Sequence, residues 1–356
     1  MTDIYRQFID RLSQCKRVLV TTHVRPDGDA IGSTAALVLA LKKAGIDAEV
    51  LLLSHLPTKY SFVFKENGIV HTDVENGWPG EEGRGARGEG QAAASSLAPR
   101  PLPLAPFFQR FDALLVADTG TWSQLPGLKE RITNWNVPKL VLDHHLTQEN
   151  WADLKLVITE AAAAGEIAAE LIEQWEIPID SAMATALYVA IASDTGWFQF
   201  SNTRPFTHRL AATLIEKGVD TDRIYQMLYQ NERAERVVLQ TRALQSLELL
   251  ADGRLAIMKV GKEDFKATNA RVPDTENLIN LPLQIRTVEV VALITDPPEG
   301  GPIRVSLRSK GQLDCSKFAE QFGGGGHARA AGLKLQTGLQ SAHDQIVSAL
   351  LAAISG

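Results

Sequence analysis

The stretch "VTTHVRPDGDAIGS", residues 20–33, decides how the first half of this chain is interpreted. It places His23, Asp27 and Asp29 within seven positions, directly after a short apolar run. Imidazole and carboxylate groups bind metals and transfer protons, so their position after an apolar run suggests a functional site. A surface turn is the simpler alternative for "PDGD", because Pro, Asp and Gly are all turn residues.

The flanking residues predict a βαβ unit. "RVLVTT", residues 17–22, is typical of a buried strand, and "AIGSTAALVLALKKAG", residues 30–45, has the pattern of an amphipathic helix that Gly45 closes. "AEVLLL", residues 48–53, predicts a second strand. A strand, a helix and a strand in this order predict a parallel sheet that is covered by helices.

Two further apolar runs end in polar residues. "FDALLVADTG", residues 111–120, and "KLVLDHH", residues 139–145, predict strands, and helical patterns follow at residues 164–175 and 181–194. Functional groups at the carboxyl ends of parallel strands share one rim of the sheet. We therefore expect an α/β fold whose polar side chains meet at that rim.

Four places along the chain deliver carboxylate or imidazole groups to this rim. The groups belong to His23, Asp27, Asp29, Asp118, Asp143, His144, His145 and Asp194. Clustered carboxylates repel one another and raise each other's pKa unless cations neutralise them, so a metal site is the economical interpretation. Oxygen and imidazole ligands without thiolate suit Mn²⁺ or Mg²⁺. Their number fits two ions about 3.5–4 Å apart that share a carboxylate, an arrangement suited to phosphate-ester hydrolysis.

Each of these motifs, taken alone, also has a purely structural interpretation. "DHH" at residues 143–145 is compatible with a helix cap or a satisfied polar cluster, and "ADTG" and "SDTG" are compatible with helix caps. Their ordered occurrence, each after an apolar strand or helix, favours the metal site.

The pattern divides the chain into two lobes with the active site in the cleft between them. We expect a parallel-sheet catalytic domain over residues 1–219, a helical linker over 220–248 and a smaller α/β domain over 249–356. Residues 77–106 are rich in Gly, Ala and Pro and lack periodicity. They predict a flexible surface insertion, with a lid or a partner-binding loop as the alternative.

The second lobe carries a candidate phosphate site. Its predicted strands lie near residues 254–260, 288–296 and 303–309, and its predicted helices lie near 314–322 and 341–355. Successive glycines, among them Gly324, Gly325 and Gly326, let backbone amides approach an anion, and His327 and Arg329 stand beside them. Arg304, Ser306 and Arg308 would share one face of a strand and bind another phosphate or a nucleotide end. A flexible glycine loop beside a solvated strand edge is the alternative.

Composition excludes several classes of protein. With 45% hydrophobic residues, 22% charged residues and a net charge of -6, the chain is typical of a globular protein and not of one that coats nucleic acid. No apolar run has the length of a membrane span, and the first residues lack a signal-peptide pattern, so we expect a cytoplasmic protein without a membrane partner. Cys15 and Cys315 lie too far apart to predict a disulfide framework or a zinc-cysteine site.

The motifs resemble those of a known family. "HVRPDGDAIGS", "VADTG", "VLDHH" and "ASDTGWF" resemble the four successive motifs of the DHH phosphoesterases. "GGGGHARAAG", residues 323–332, resembles the signature of the DHH-associated C-terminal domain in the branch of nanoRNases and pAp phosphatases.

The resemblance implies a two-metal site and a role for each ligand. It implies one Mn²⁺ ion held by His23, Asp27 and Asp118, with Mg²⁺ as the alternative metal. A second ion would be held by Asp29, Asp118, His144 and Asp194, so that Asp118 bridges the two. His145 then falls where the family contacts the scissile phosphate, and Asp143 would orient the two histidines.

The same resemblance implies the substrates. They are short single-stranded RNA or DNA oligonucleotides, cut to mononucleotides, and 3′-phosphoadenosine 5′-phosphate (pAp), which loses its 3′-phosphate. The alternatives are linear dinucleotides such as pApA, a single-strand exonuclease and, ranked lower, a manganese pyrophosphatase. A nucleotide-binding regulator without activity is the alternative from another class, and a homodimer is a compatible oligomeric state.

Overall fold

A computed structural model describes residues 3–74, 77–79 and 106–355. The chain forms two compact units, Met1–Asn231 and Glu232–Gly356. The division falls inside the predicted linker, residues 220–248. Most of the predicted insertion, residues 80–105, lies outside the described residues.

The first unit is built on a six-stranded sheet in which every neighbouring pair is parallel. Its strands are β1 (Arg17–Thr21), β2 (Asp47–Leu52), β3 (His71–Asp73), β4 (Ala113–Ala117), β5 (Lys139–Asp143) and β6 (Leu154–Val157). The spatial order is β3-β2-β1-β4-β5-β6. The chain thus runs outward from β1 in one direction and from β4 in the other, which opens a crevice at the carboxyl ends of these two strands.

Helices bury both faces of this sheet. They are α1 (Asp3–Ser13), α2 (Gly28–Lys43), α3 (Ser61–Lys65), α4 (Leu128–Ile132), α5 (Ala164–Gln174), α6 (Ser181–Asp194), α7 (Pro205–Glu216) and α8 (Thr221–Tyr229). Alternate residues of β1 enter different cores: Val18 and Val20 lie in one hydrophobic cluster and Leu19 in the other. Burial on both faces explains why the strands are almost continuously apolar.

Two glycines allow α2 to pack closely against α6. A Cβ atom on Gly28 would lie 1.9 Å from Oγ of Ser193, and one on Gly32 would lie 2.3 Å from the carbonyl oxygen of Ala186. The carboxylate of Asp27 caps α2 by accepting the amides of Asp29 and Ala30, both at 3.1 Å. The small residues after the first acidic motif therefore bring the start of α2 against the end of α6.

The second unit contains a mixed six-stranded sheet. Its strands are β7 (Glu248–Leu250), β8 (Leu255–Val260), β9 (Val290–Thr295), β10 (Ile303–Ser309), β11 (Gly325–His327) and β12 (Ala330–Leu335), in the order β11-β12-β10-β9-β8-β7. Only the β8–β9 pair is parallel. Its helices are α9 (Ala234–Gln245), α10 (Lys262–Thr268), α11 (Cys315–Glu320) and α12 (Leu339–Ser355).

The predicted α/β architecture with a helical segment between two sheets is confirmed. The helix pattern at residues 181–194 coincides with α6, whereas β3, β6, β7, β11 and β12 were not predicted. Four of these five strands have only three or four residues, too few for a clear pattern in the sequence. Among the residues that the structure describes, no helix is long and apolar enough to cross a membrane.

The Gly32→Ala substitution is expected to destabilise the first unit by about 1–3 kcal/mol, because its methyl group meets backbone that cannot rotate away. Urea unfolding would measure this loss. Gly338→Ala is the control, since a Cβ atom there meets nothing within 4 Å. Equal stability of the Gly32→Ala variant and the wild type would contradict the close packing of α2 on α6.

Candidate functional site

Six predicted ligands come together at the carboxyl rim of the first sheet. Their side chains follow β1, β4 and β5, begin α2 and end α6. Together with His145, they form three groups whose ligand atoms lie within 4.8 Å of one another: His23, Asp27 and Asp118; Asp29, His144 and Asp194; and Asp118, His144 and His145.

The first group surrounds the imidazole of His23. Its Nε2 atom lies 3.4 Å from Oδ2 of Asp118 and 3.8 Å from Oδ1 of Asp27. Its Nδ1 atom lies 3.0 Å from the carbonyl oxygen of Val24. A proton on Nδ1 bonds that carbonyl and leaves Nε2 to face the carboxylates, the orientation that a metal ligand needs.

The second group surrounds the imidazole of His144. Its Nε2 atom lies 3.8 Å from Oδ2 of Asp29, 3.6 Å from Oδ2 of Asp194 and 3.5 Å from Oδ1 of Asp118. Its Nδ1 atom lies 3.2 Å from the carbonyl oxygen of Ala161. Both histidines are therefore fixed through backbone carbonyls, with Nε2 turned towards acids.

Asp118 links the two groups. Its two carboxylate oxygens approach different histidines, Oδ2 towards His23 and Oδ1 towards His144. Asp118 is 3% exposed, and its Oδ1 atom is buried without a hydrogen-bond partner. Its backbone has φ +62°, an uncommon value for a residue with a side chain. A buried, unpaired carboxylate oxygen in a strained turn fits a bridging position between two cations.

The charge balance of the rim also favours cations. Burial, together with the charges of Asp118 and Asp194, raises the pKa of Asp29 well above its ordinary value. Burial alone would lower the pKa of His23, but the nearby carboxylates of Asp118 and Asp27 outweigh this effect and raise the pKa to about 11. The pKa of His144 likewise rises to about 10 through its acidic neighbours, against the effect of burial. The rim therefore attracts positive charge, which a divalent cation would supply at these same atoms.

Asp143 organises the second histidine of its motif. Its Oδ1 atom accepts hydrogen bonds from the backbone amides of His144 and His145, at 2.8 and 3.2 Å, and lies 2.8 Å from Nδ1 of His145. Gln148 donates to its Oδ2 atom. The hydrogen bond with Asp143 is the main cause that raises the pKa of His145. Asp143 is fully buried, whereas the side chain of His145 is 55% exposed.

In the second unit, the predicted strand residues share one face. Ile303, Val305 and Leu307 are buried, whereas Arg304, Ser306 and Arg308 alternate with them on the open side. In the sheet register, Arg308 pairs with Ala330, which pairs with His327, and Ser306 pairs with Gly332, which pairs with Gly325. Residues that pair directly lie on the same face, so the small residues of β12 leave open space between β10 and β11.

The glycine-rich segment forms an edge strand rather than a loop. A Cβ atom on Gly324 would lie 2.4 Å from the carbonyl oxygen of Gly332, and one on Gly326 would lie 2.5 Å from that of Ala330. Gly325 has nothing within 4 Å of such an atom. Gly324 and Gly326 thus let β11 approach β12, and Gly325 faces the open side. Arg329 lies in the turn between β11 and β12 and donates to the carbonyl of Gly311.

The aromatic residues after the fourth motif differ in exposure. Trp197 and Phe198 pack against the core cluster of the first unit. Phe200 is 59% exposed and rests on Gly196, where a Cβ atom would lie 2.4 Å from its ring.

Sequence reasoning missed the backbone donors of the site. The amides of Ala164 and Gly165 donate to the two oxygens of Asp29 at 2.6 and 2.9 Å, and Ser33 adds a bond of 2.9 Å. Backbone amides can belong to any residue type except proline, so they leave no signal in the sequence. Gln148 was also missed, because a lone glutamine carries no pattern.

Models of known families match both units. The model of the DHH family, N-terminal domain, matches residues 17–191, and that of the DHHA1 domain matches residues 253–356. The chain belongs to the DHH family. This is a family of phosphoesterases, and the rim described above carries His and Asp groups of the kind that could hold a metal ion.

Relatives of this DHH protein extend over most of its length. It is 29% identical over 340 residues to the bifunctional oligoribonuclease and PAP phosphatase NrnA of Thermus thermophilus, covering 94% of this chain and 89% of that one. It is 23% identical to the protein of the same name from Bacillus subtilis, covering 92% of each chain. The crystal structure of an exopolyphosphatase-related protein from Bacteroides fragilis matches with a TM-score of 0.81 at 21% identity, covering 99% and 96% of the two chains.

The Asp194→Asn substitution is expected to stabilise the metal-free DHH protein at pH 8. Burial, offset in part by His144 and reinforced by Asp118, raises the pKa of Asp194 to about 6. The charged carboxylate therefore costs folding free energy above pH 6, and this cost shrinks as the pH falls through that value. Thermal unfolding in a chelator at pH 8 should show a higher Tm for the variant than for the wild type, by about 2–4 °C for each kcal/mol of unfolding free energy gained. The difference in Tm should be smaller at pH 5.

The same variant should lose part of the rise in Tm that Mn²⁺ gives the wild type, because ligands that bind only the folded state stabilise it and the group of His23, Asp27 and Asp118 remains intact. Asp180→Asn, at the other end of α6, is the matched control and should keep that rise. An Asp194→Asn variant with the wild-type Tm in chelator and the full response to Mn²⁺ would disprove its place in a metal site.

Proposed function

We propose that this DHH-family hydrolase is a metal-dependent phosphoesterase that cuts short RNA oligonucleotides (nanoRNA) to mononucleotides and removes the 3′-phosphate from pAp. The observation that carries the proposal is the pair of ligand groups that meet at Asp118, whose buried Oδ1 atom lacks a hydrogen-bond partner. An arrangement of two ligand groups around one shared carboxylate suits displacement at a phosphoryl group.

The ligand set supports two Mn²⁺ ions, with Mg²⁺ as the alternative. His23, Asp27 and Asp118 would hold one ion, and Asp29, Asp118, His144 and Asp194 the other. Oxygen and imidazole donors without thiolate favour these metals over a structural zinc. When bound, such ions activate water and neutralise charge on the phosphoryl group.

The chain's own residues would orient the substrate. Asp143 holds Nδ1 of His145 and raises the pKa of the imidazole, which favours the form that also carries a proton on Nε2. A protonated Nε2 atom is suited to donate to an oxygen of the scissile phosphate. Asp143 itself is buried behind the two histidines and acts by orienting them.

The open face of the second unit would bind phosphate groups of the substrate. Arg304 and Arg308 supply positive charge, and Ser306, Gly325 and His327 share their face. Gly324, Gly326 and Arg329 would contribute through the strand and turn that they form. In this proposal residues 1–219 carry out hydrolysis and residues 249–356 bind the nucleotide.

The choice of substrate is supported by the relatives. Those from Thermus thermophilus and Bacillus subtilis both have names that combine oligoribonuclease and PAP phosphatase activity, and each match spans nearly the full length of both proteins. Similarity over both units favours a substrate of the same class.

A substrate panel tests the proposal directly. With Mn²⁺, we expect hydrolysis of pAp, pApA and a five-nucleotide RNA to exceed that of a 24-nucleotide RNA and of pyrophosphate. Asp118→Ala should lower every rate by at least about 10³-fold, because both ions lose a ligand. Product release would be followed by chromatography. Preference for pyrophosphate or for the long strand would contradict the proposal, and the absence of turnover by the wild type would favour a regulator.

Substitution of Arg308 separates binding from chemistry. Arg308→Ala should raise KM for pAp about 10-fold with kcat nearly unchanged, since the lost contact is the same in the ground state and the transition state. Lys317→Ala on α11 is the control, because it removes one exposed positive charge from a helix that packs on the buried side of the sheet. A fall in kcat with constant KM would refute a binding role for this face.

A further inference from the structure

The segment Ala161–Gly165 contacts two ligands of the second group, His144 and Asp29, and is connected to the third, Asp194, through Asn202. The carbonyl of Ala161 lies 3.2 Å from Nδ1 of His144, and the amides of Ala164 and Gly165 donate to Asp29. Asn202 joins the segment to Asp194. Its Nδ2 atom donates to the carbonyl of Ala162 at 2.9 Å and to that of Asp194 at 3.1 Å.

The ligands of the first group are held in other ways. His23 is oriented by the carbonyl of its neighbour Val24, and Asp27 accepts the amides at the start of α2. Among the contacts of the described residues, the segment Ala161–Gly165 therefore orients the second group alone, and a change in its position should affect the two groups unequally.

Glu166 fixes this segment from behind. Glu166 directly follows, in the sequence, the two residues whose amides donate to Asp29, and it is 1% exposed. Its Oε2 atom accepts the amide of Ala162 at 3.0 Å and a guanidinium N–H of Arg204, and its Oε1 atom accepts the hydroxyl of Thr207. Three donors from two parts of the chain thus compensate one buried carboxylate, as a buried charge requires.

We propose that Glu166 is a positioning residue that sets the affinity of Asp29, His144 and Asp194 for a divalent cation and leaves the first group unaffected. This inference rests on the proposed two-metal function. Removal of the charge leaves Arg204 without its buried partner and weakens the anchor of Ala162. The donors to Asp29 and the acceptor of His144 then lose their fixed positions, and such changes behind a metal ligand cost about 10–100-fold in metal affinity.

The test measures Mn²⁺ binding by calorimetry on metal-free protein, without any assay of activity. In an Asp27→Asn background, where only the second group is intact, Glu166→Gln should weaken Mn²⁺ binding about 10–100-fold. In an Asp194→Asn background, where the first group remains, the same substitution should leave the affinity unchanged.

Glu170→Gln is the matched control. Glu170 lies one helical turn further along α5 and accepts from the hydroxyl of Tyr5, so its substitution removes a carboxylate without touching the segment. Thr207→Val removes one donor to Glu166 and is the milder second variant, which should show a smaller loss in the same direction. Thermal unfolding in chelator shows which variants fold.

Each possible outcome either supports the inference or overturns it. Loss of affinity in the Asp27→Asn background alone, for Glu166→Gln or for Thr207→Val, supports the inference. Equal loss in both backgrounds, or none in either for folded Glu166→Gln, overturns it. If the wild type binds no Mn²⁺, the proposed function fails. If the wild type binds two Mn²⁺ ions but Glu166→Gln has no selective effect on the second group, only the inference about Glu166 fails.

Discussion

Repulsion between the carboxylates at the carboxyl ends of β1 and β4 is the constraint that shapes the first unit. Asp29 and Asp118 are almost fully buried, Asp194 lies beside them, and burial and like charge raise the pKa of both Asp29 and Asp194. The fold tolerates this cost because α2 packs closely on α6 and because the backbone amides of Ala164 and Gly165 donate to Asp29. Function rather than stability explains such an arrangement.

The sequence indicates the frame of this site well, for a physical reason. Strands buried on both faces must be apolar along their length, so a polar residue at the end of such a run marks the rim. That reasoning identified His23, Asp118 and His144, which follow the ends of three separate strands. It also found Asp194, since the apolar pattern of α6 ends at that residue.

The supports of the site could not be found in the same way. The segment Ala161–Gly165 acts through its amides and carbonyls, and a run of alanines gives no hint of that role. Glu166 looks like an ordinary residue on a helix, and only the fold reveals that its carboxylate is buried. The glycines around β11 were interpreted through their freedom of rotation, whereas Gly324 and Gly326 are needed for close contact with β12. Contacts between distant parts of a chain are a property of the packing, and local patterns do not encode them.

The spread of the ligands along the chain has a consequence for motion. Residues from His23 to Asp194 meet at one point, although the strands that carry them lie far apart in sequence. Any partial opening that lifts β1, β4, β5 or α6 away separates the ligands. Bound cations would therefore couple the opening of these elements. Amide hydrogen exchange would then slow in β1, β4 and β5 to a similar extent, rather than in each strand independently.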